Sequence, residues 1–467
     1  MPTLTFLGAA RTVTGSKHLL DTGTQKVLID AGLFQGGREL RDRNWAAMPV
    51  EPAELHAVVL THAHIDHSGY LPRLVADGFR GRIFCTPGTA DLCRLVLPDS
   101  GRLQEEDARR LDRCKPDERD EDEDDADYAG PLYTEADAFR AITQLQPVGY
   151  QRPIPVATGV EVEFLNAGHL LGSAYARVTI NHGASREVLF GGDLGRYDRP
   201  VLPDPTPVAK ADVLLIESTY GDTIHDPDDD GAEMEQIIKE TVARGGRLII
   251  PAFAIGRVEE VIYWLKRLEE QGRIPELPVY VDSPMAREGL AYYTARQHEL
   301  DPDVRAEHGE VSKFSTARFR TITTAEESQD LCGTQTPAII VSSSGMANGG
   351  RVVHHLKAAL PDPRNTIMFV GYQAEGTRGR LLINGTKEIK IHGQPIKVAA
   401  TVKLVDSMSA HADQGEMLRW LEGFERAPQV TYLVHGEEQP MTKLKDAVQE
   451  RYGWNLHMPQ QGETVEL

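Results

Sequence analysis

The stretch that decides the fold is Ala57 to Pro72, AVVLTHAHIDHSGYLP. An apolar run that reads as a buried strand leads directly into His62, His64, Asp66 and His67, four metal-donor side chains within six positions. Residues two apart share a face of an extended segment, so His62 and His64 can grip one ion. The turn that follows presents Asp66 and His67 to a second. Zinc takes nitrogen and oxygen donors of this kind. A lone histidine is more often a structural or surface residue, but four donors on the loop after an apolar strand argue against that reading. The spacing alone predicts a metal centre, and it fits many hydrolases.

Working outward, the first 60 residues alternate short apolar runs with Gly-rich turns: LTFLGAA, HLLDTG, KVLIDAGLF and AVVLTH. These read as strands whose loops gather at one edge of a sheet. YLPRLVADGF reads as a short helix, GRIFCTP as the next strand, and Thr89 to about Cys114 as helical. Strands resume with VEVEFLNAGH, AYARVTI, EVLFGGD and DVLLIEST. From about Tyr220 strands alternate with helices, the pattern of a parallel α/β unit. After about Ile391 short strands return, ending in KLVDSMSAHAD, a helix and VTYLVHGEE. A chain of 467 residues is too long for one ordinary core. The expectation is therefore one domain over 1–218, an α/β insertion over 219–390, and a return to the first domain over 391–467.

The net charge of −20 is unusual for a protein that handles nucleic acid, but its distribution matters more than its sum. Asp117 to Asp127, DERDEDEDDAD, holds nine acids against one arginine and reads as a solvated insertion or linker. Ser344 to Lys403 holds nine Lys/Arg against three acids, so an acidic body can carry a basic groove. No apolar run approaches the roughly 20 residues of a membrane helix, and the first residues lack the pattern of a secretion signal. Cys85, Cys93, Cys114 and Cys332 form no CxxC pair, which suits free thiols and a cytoplasmic location.

HxHxDH after an apolar strand resembles the signature of the metallo-β-lactamase superfamily. The resemblance continues in order with Asp30 in VLIDAG, His169 in NAGHLLGS and Asp193 in FGGDLG. The later chain is similar to the β-CASP subgroup, the nucleic-acid-cleaving branch. Glu217 in LLIESTYGD matches its motif A, His411 in SMSAHADQ motif B and His435 in TYLVHGE motif C. IPAFAIGR, SSSGMANGGR and GYQAEGTRGR also look like β-CASP insertion sequence. The likeness spans the chain apart from the acidic run, and it looks closer to compact bacterial and archaeal relatives of the pre-mRNA 3′-end-processing nuclease than to ribonuclease J.

The resemblance implies an α/β fold: a four-layer αββα metallo-β-lactamase sandwich carrying an inserted parallel α/β β-CASP domain. It implies two zinc ions per chain, with His62, His64 and His169 holding the first, Asp66, His67 and His435 the second, and Asp193 bridging. Asp30 is expected to orient ligands rather than bind. A hydroxide shared by the zincs would attack an RNA phosphodiester, giving a 5′-phosphate and a 3′-hydroxyl. His411 would protonate the leaving oxygen, with Glu217 orienting it; Asp66 counts among the catalytic residues as well as the ligands. Taken without the family pattern, the favoured reading is that His411 is a surface residue and Glu217 a helix-closing or arginine-pairing acid.

SSSGMANGG before a helix near Arg351 suits phosphate capture, so Ser343, Ser344 and Arg351, with Arg378 and Arg380, are candidate RNA contacts. Taken alone, that stretch is an ordinary loop and most of those arginines are solvated. His354 and His355 sit on a helix where neighbours point apart and are read as structural, and His18 and His392 receive no role. The competing readings are a small-molecule hydrolase of thioesterase or lactonase type and a non-catalytic RNA-processing subunit. Endonuclease or 5′-exonuclease action, RNA against DNA preference, sequence specificity and homo-oligomerisation stay open at this point.

Overall fold

The computed structural model describes residues 1–111, 130–182, 184–226, 230–302, 314–374 and 376–467. The acidic run 117–127 and Cys114 lie outside the described residues. The chain divides into two compact units; the first runs to Ile224 and resumes at His411, and the second spans His225–Ala410.

The first unit is built on two seven-stranded sheets. One is ordered Thr464–Glu466, Thr3–Phe6, His18–Asp21, Lys26–Ile29, Ala57–Val59, Arg82–Cys85, Leu145–Pro147. The other runs Leu456–His457, Val430–Val434, Val213–Glu217, Ala184–Phe190, Ala174–His182, Val160–Asn166, Ile154–Ala157. Side chains alternate across each strand, so Phe6, Ile29, Val59 and Phe84 from the first sheet meet Phe164, Val178, Phe190, Leu215 and Val434 from the second in one core. Each such residue fully buried contributes about 1.5–3 kcal/mol. The opposite face of the second sheet (Leu165, Leu189, Leu214, Ile216, Leu433) packs on Met417 and Trp420 of helix Gln414–Leu421 and on Met441, Leu444 and Val448 of helix Glu438–Tyr452. Helices Leu71–Ala76, Pro87–Leu111 and Glu135–Ile142 pack on one another beside the first sheet. The result is the expected four-layer αββα sandwich.

The strands that matter for the site are mutually parallel: Lys26–Ile29 with Ala57–Val59, and Ala184–Phe190 with Val213–Glu217 and Val430–Val434. Loops leaving the carboxyl ends of parallel strands are where α/β folds build their sites. Asp30, the His62–His67 turn, Asp193, Glu217 and His435 all sit at those ends.

The second unit holds a six-stranded sheet, ordered Phe319–Thr321, Val279–Asp282, Ile339–Ser342, Leu248–Pro251, Thr366–Phe369, Thr401–Leu404, with every pairing parallel. Ile249, Ile340, Ile367 and Phe369 pack on Val352, Val353 and Leu356 of helix Arg351–Ala359. Strand Thr401–Leu404 pairs in parallel with Thr366–Phe369 at the edge of this sheet, and the first unit resumes at His411.

Candidate metal centre

Asp30 follows its strand with φ of 58°, a left-handed conformation that is uncommon for aspartate. That turn aims the carboxylate inward: Oδ1 accepts the Thr61 N–H at 2.7 Å, and Oδ2 accepts the Thr61 hydroxyl and His67 Nδ1–H, both at 2.8 Å. Two residues on, a Cβ at Gly32 would stand 1.6 Å from the Asp66 carbonyl oxygen, so only glycine lets this loop press against the HxHxDH turn. On the other sheet, His435 also has positive φ, 48°, and its N–H donates to the Ala9 carbonyl at 2.8 Å. His169 is held by the Ser173 hydroxyl, which accepts the backbone N–H groups of His169 and Leu170 at 3.0 Å.

These loops converge two sets of donors around Asp193. In the first, His62 Nε2 and His169 Nε2 each lie 3.1 Å from His64 Nδ1, and they lie 3.4 and 3.5 Å from Asp193 Oδ2. In the second, Asp193 Oδ1 is 3.1 Å from His67 Nε2 and 3.6 Å from His435 Nε2, which is 3.3 Å from Asp66 Oδ2. Ligands bound to zinc at about 2.0–2.1 Å in a tetrahedron stand about 3.3–3.4 Å apart. The donors therefore already hold the spacing of a coordination shell. Both Asp193 oxygens are buried and make no hydrogen bond of acceptable geometry, a costly arrangement that a cation would repair. The residues present fit a metal.

The ring tautomers agree with that fit. His67 Nδ1 faces Asp30 at 2.8 Å and its Nε2 faces Asp193, an arrangement common for a metal-ligating histidine; without a cation the two carboxylates outweigh burial and hold the ring's proton affinity well above the ordinary value. His62 Nδ1 lies 3.2 Å from Thr61 Oγ1, which spends its own proton on Asp30. Burial pushes the His62, His64 and His169 rings down, His64 to about 3, so these three remain neutral lone-pair donors over the physiological range. For Asp66 and Asp193 burial opposes ionisation, but the surrounding histidines outweigh it and hold both well below the carboxylate range.

Beside Asp193 stands a second constellation. Burial disfavours a charged His411, yet the Glu217 carboxylate, 3.0 Å from its Nδ1, raises the ring to about 9 with help from Asp193 and Asp66. Glu217 is fully buried; Oε1 accepts the Leu194 N–H at 2.5 Å and Oε2 the Thr219 hydroxyl at 2.6 Å. His411 is fixed by its neighbours. It forms a bridge with Gly195, Ala412 N–H donates to Leu194 O, and Asp413 caps helix Gln414–Leu421 in a reciprocal box with Glu416. Glu416 also accepts from Arg196 at 3.0 Å. The cap explains the aspartate of the AHAD motif: Asp413 is a helix cap and no ligand.

All nine residues predicted for the centre, with Asp30, thus come together in the first unit. The five predicted RNA contacts lie in the second. There Arg351 donates to Asp282 at 2.7 Å and to the Thr323 carbonyl at 3.1 Å. Ser344 Oγ donates to the Gly349 carbonyl at 3.3 Å, Arg378 donates to the Asn348 carbonyl at 2.7 Å, and Ser343 Oγ is buried without a hydrogen bond. Arg380 stands in the first turn of the short helix Arg378–Ile383, where its backbone N–H donates to the Thr377 hydroxyl. His355 is structural as expected, bonded to Asp282 at 2.6 Å and to Cys332 Sγ at 3.3 Å. Thr61, Ser173, Thr219 and Glu416 were not foreseen. A hydroxyl next to a histidine motif is the only signal the sequence offers for the first.

The Beta-lactamase superfamily domain matches residues 25–243, the Beta-Casp domain residues 258–382, and the Zn-dependent metallo-hydrolase RNA specificity domain residues 395–459. The chain is 36% identical to Ribonuclease TTHA0252 of Thermus thermophilus over 94% of both chains. It is 31% identical to Transcription termination factor FttA of Methanosarcina mazei, over 99% of this chain and 71% of that one. A crystal structure of a protein of unknown function from Enterococcus faecalis shares the fold over the full length of both chains, with a TM-score of 0.52 and 13% identity.

Proposed function

The chain belongs to the β-CASP branch of the metallo-β-lactamase superfamily, a metal-dependent hydrolase, and from that premise we propose that it is a two-zinc ribonuclease. His62, His64 and His169 would hold one ion, Asp66, His67 and His435 the other, and Asp193 would face both. When bound, the ions supply charge against the phosphodiester and acidify water at neutral pH. The chain's own residues do the rest. Asp30, Thr61 and Ser173 keep the donor loops in place before substrate arrives, so no reorganisation is needed during reaction. His411 delivers a proton to the departing 3′ oxygen, and Glu217 holds the ring with Nδ1 toward itself, leaving Nε2 to face the leaving group. The products are a 5′-phosphate and a 3′-hydroxyl. Buried thiols at Cys85 and Cys93 suit the reducing cytoplasm, where such an enzyme would meet RNA.

The observation that carries this reading is the His411–Glu217 pair, 3.0 Å apart, on the flank of Asp193. A thioesterase or lactonase can use the HxHxDH donors without that pair and without an inserted α/β unit. A non-catalytic subunit has no use for a complete donor set. The relative named a ribonuclease and the matched RNA specificity domain support RNA as the substrate class. The test is end-labelled RNA bearing a 5′-monophosphate or a 5′-hydroxyl, incubated with zinc-loaded wild type and His411→Ala. No cleavage by wild type would remove the nuclease reading. Mononucleotide release only from 5′-monophosphate RNA identifies a 5′-exonuclease, internal fragments an endonuclease. Full activity in His411→Ala would remove its acid role.

A further inference from the structure

We infer that Thr219 is a positioning residue whose single hydroxyl selects the metal-binding tautomer of His435 and locks it to the Glu217–His411 pair. The inference rests on the metal-dependent reading above. Thr219 lies two residues beyond Glu217 at the end of strand Val213–Glu217 and is nearly buried. Its Oγ1 has three partners: Glu217 Oε2 at 2.6 Å, His435 Nδ1 at 3.1 Å and the His435 carbonyl at 3.2 Å.

A hydroxyl has one proton to give. The shortest contact is to a carboxylate, and a charge-assisted bond of that length is the strongest on offer, so the proton goes to Glu217. The lone pairs of Oγ1 then face Nδ1 of His435, which must itself carry hydrogen. His435 is thereby left with a bare Nε2, the atom placed 3.3 Å from Asp66 Oδ2 and 3.6 Å from Asp193 Oδ1. The opposite tautomer would aim an N–H into the donor set and exclude a cation. The stiff χ1 of a β-branched side chain suits a part that must hold one direction. Asp30, Thr61 and His62 repeat the same carboxylate–threonine–histidine order in the other donor set, at 2.8 and 3.2 Å. What is particular to Thr219 is the coupling: the carboxylate it bonds is the one that holds His411.

Thr219→Val keeps the shape and removes the hydroxyl; Thr219→Ser keeps the hydroxyl and removes a methyl. Zinc affinity is measured by competition with a chromophoric chelator, and turnover on RNA as kcat and KM, with melting curves to verify folding. Thr219→Val is expected to weaken the weaker zinc site by about 10–100-fold and to lower kcat with KM little changed, while Thr219→Ser stays within a few-fold of wild type on both. If Thr219→Val does not fold, Thr219→Ala takes its place. Wild-type zinc affinity in the hydroxyl-free variant, or equal damage in Thr219→Ser, would overturn the inference. A wild type that binds zinc but leaves RNA intact would sink the ribonuclease reading instead, and the chelator competition would still decide the role of Thr219.

Discussion

Glu217→Gln separates charge from shape at the pair proposed to donate the proton. Glutamine keeps an oxygen for the Leu194 N–H and fills the same space, but removes the negative charge 3.0 Å from His411 Nδ1. Two unit charges at that distance interact by about 5 kcal/mol at an effective dielectric of about 20, equivalent to roughly four on the pKa scale. His411 stands at about 9 because Glu217 and its neighbours outweigh burial. Without Glu217 burial prevails, and the ring loses its proton at much lower pH. An acid catalyst works only while protonated, so activity falls as pH rises through its pKa. The alkaline limb of kcat/KM should therefore move down by about three to four on the pH scale. Near pH 8 the loss should be on the order of 10²–10³-fold, shrinking toward pH 6. Cations bound at Asp193 lower His411 in both proteins, so the difference between them survives. The assay is cleavage of a fluorogenic RNA across pH in the zinc-saturated enzyme. A Glu217→Gln profile parallel to wild type, reduced equally at every pH, would refute the tuning and leave Glu217 as a purely steric support.

Asp193→Asn removes the one carboxylate shared by both donor sets, and metal content by plasma emission spectrometry should fall from about two ions per chain to one or fewer; two ions retained would break the assignment. Glu259, on helix Arg257–Glu270, is fully buried with both oxygens unbonded, and burial raises it to about 8 from an ordinary 4.5. Its folded pKa lies above its unfolded one, so the stability it contributes is full below about 4.5 and is lost as pH rises through about 8. Glu259→Gln should abolish that slope and leave the helix more stable by a few kcal/mol near pH 9, read by hydrogen exchange of its amides. An unchanged slope would show that the carboxyl is not the titrating group. Asp413→Ala removes a capping box and should cost about 0.5–2 kcal/mol, seen as a lower melting temperature, with kcat falling because the adjacent His411 segment loosens. A drop in stability with kcat intact would detach the cap from the chemistry.

What was legible in the sequence is what a short motif or a strand end carries. His62, His64, Asp66 and His67 announce themselves through spacing, whereas Asp30, Asp193, Glu217 and His435, each weak alone, were picked out by the family pattern they match in order. The inserted parallel α/β unit followed from the change of rhythm near Tyr220, and the αββα sandwich from the family resemblance. What the sequence left hidden had tertiary causes. TVKL at Thr401–Leu404 is short and half-exposed, and nothing local tells which sheet it will join. The Asp282 partner of Arg351 lies far away in sequence and left no local signal. Thr219 was invisible because a hydroxyl's role depends on who stands across from it, here His435 from the other end of the chain. The histidine of AHAD was found, while the acid beside it proved to be a helix cap.

The two donor sets also differ in when they can exist. His62, His64, His169 and Asp193 all precede the inserted unit, whereas His411 and His435 come after it and reach the site only when Val430–Val434 adds itself beside Val213–Glu217. On the proposed assignment, the chain order sets the donors of the first ion ahead of the inserted unit and puts the last ligand of the second ion, with the proposed proton donor, behind it. A chain that stops before His411 would therefore lack both His411 and His435.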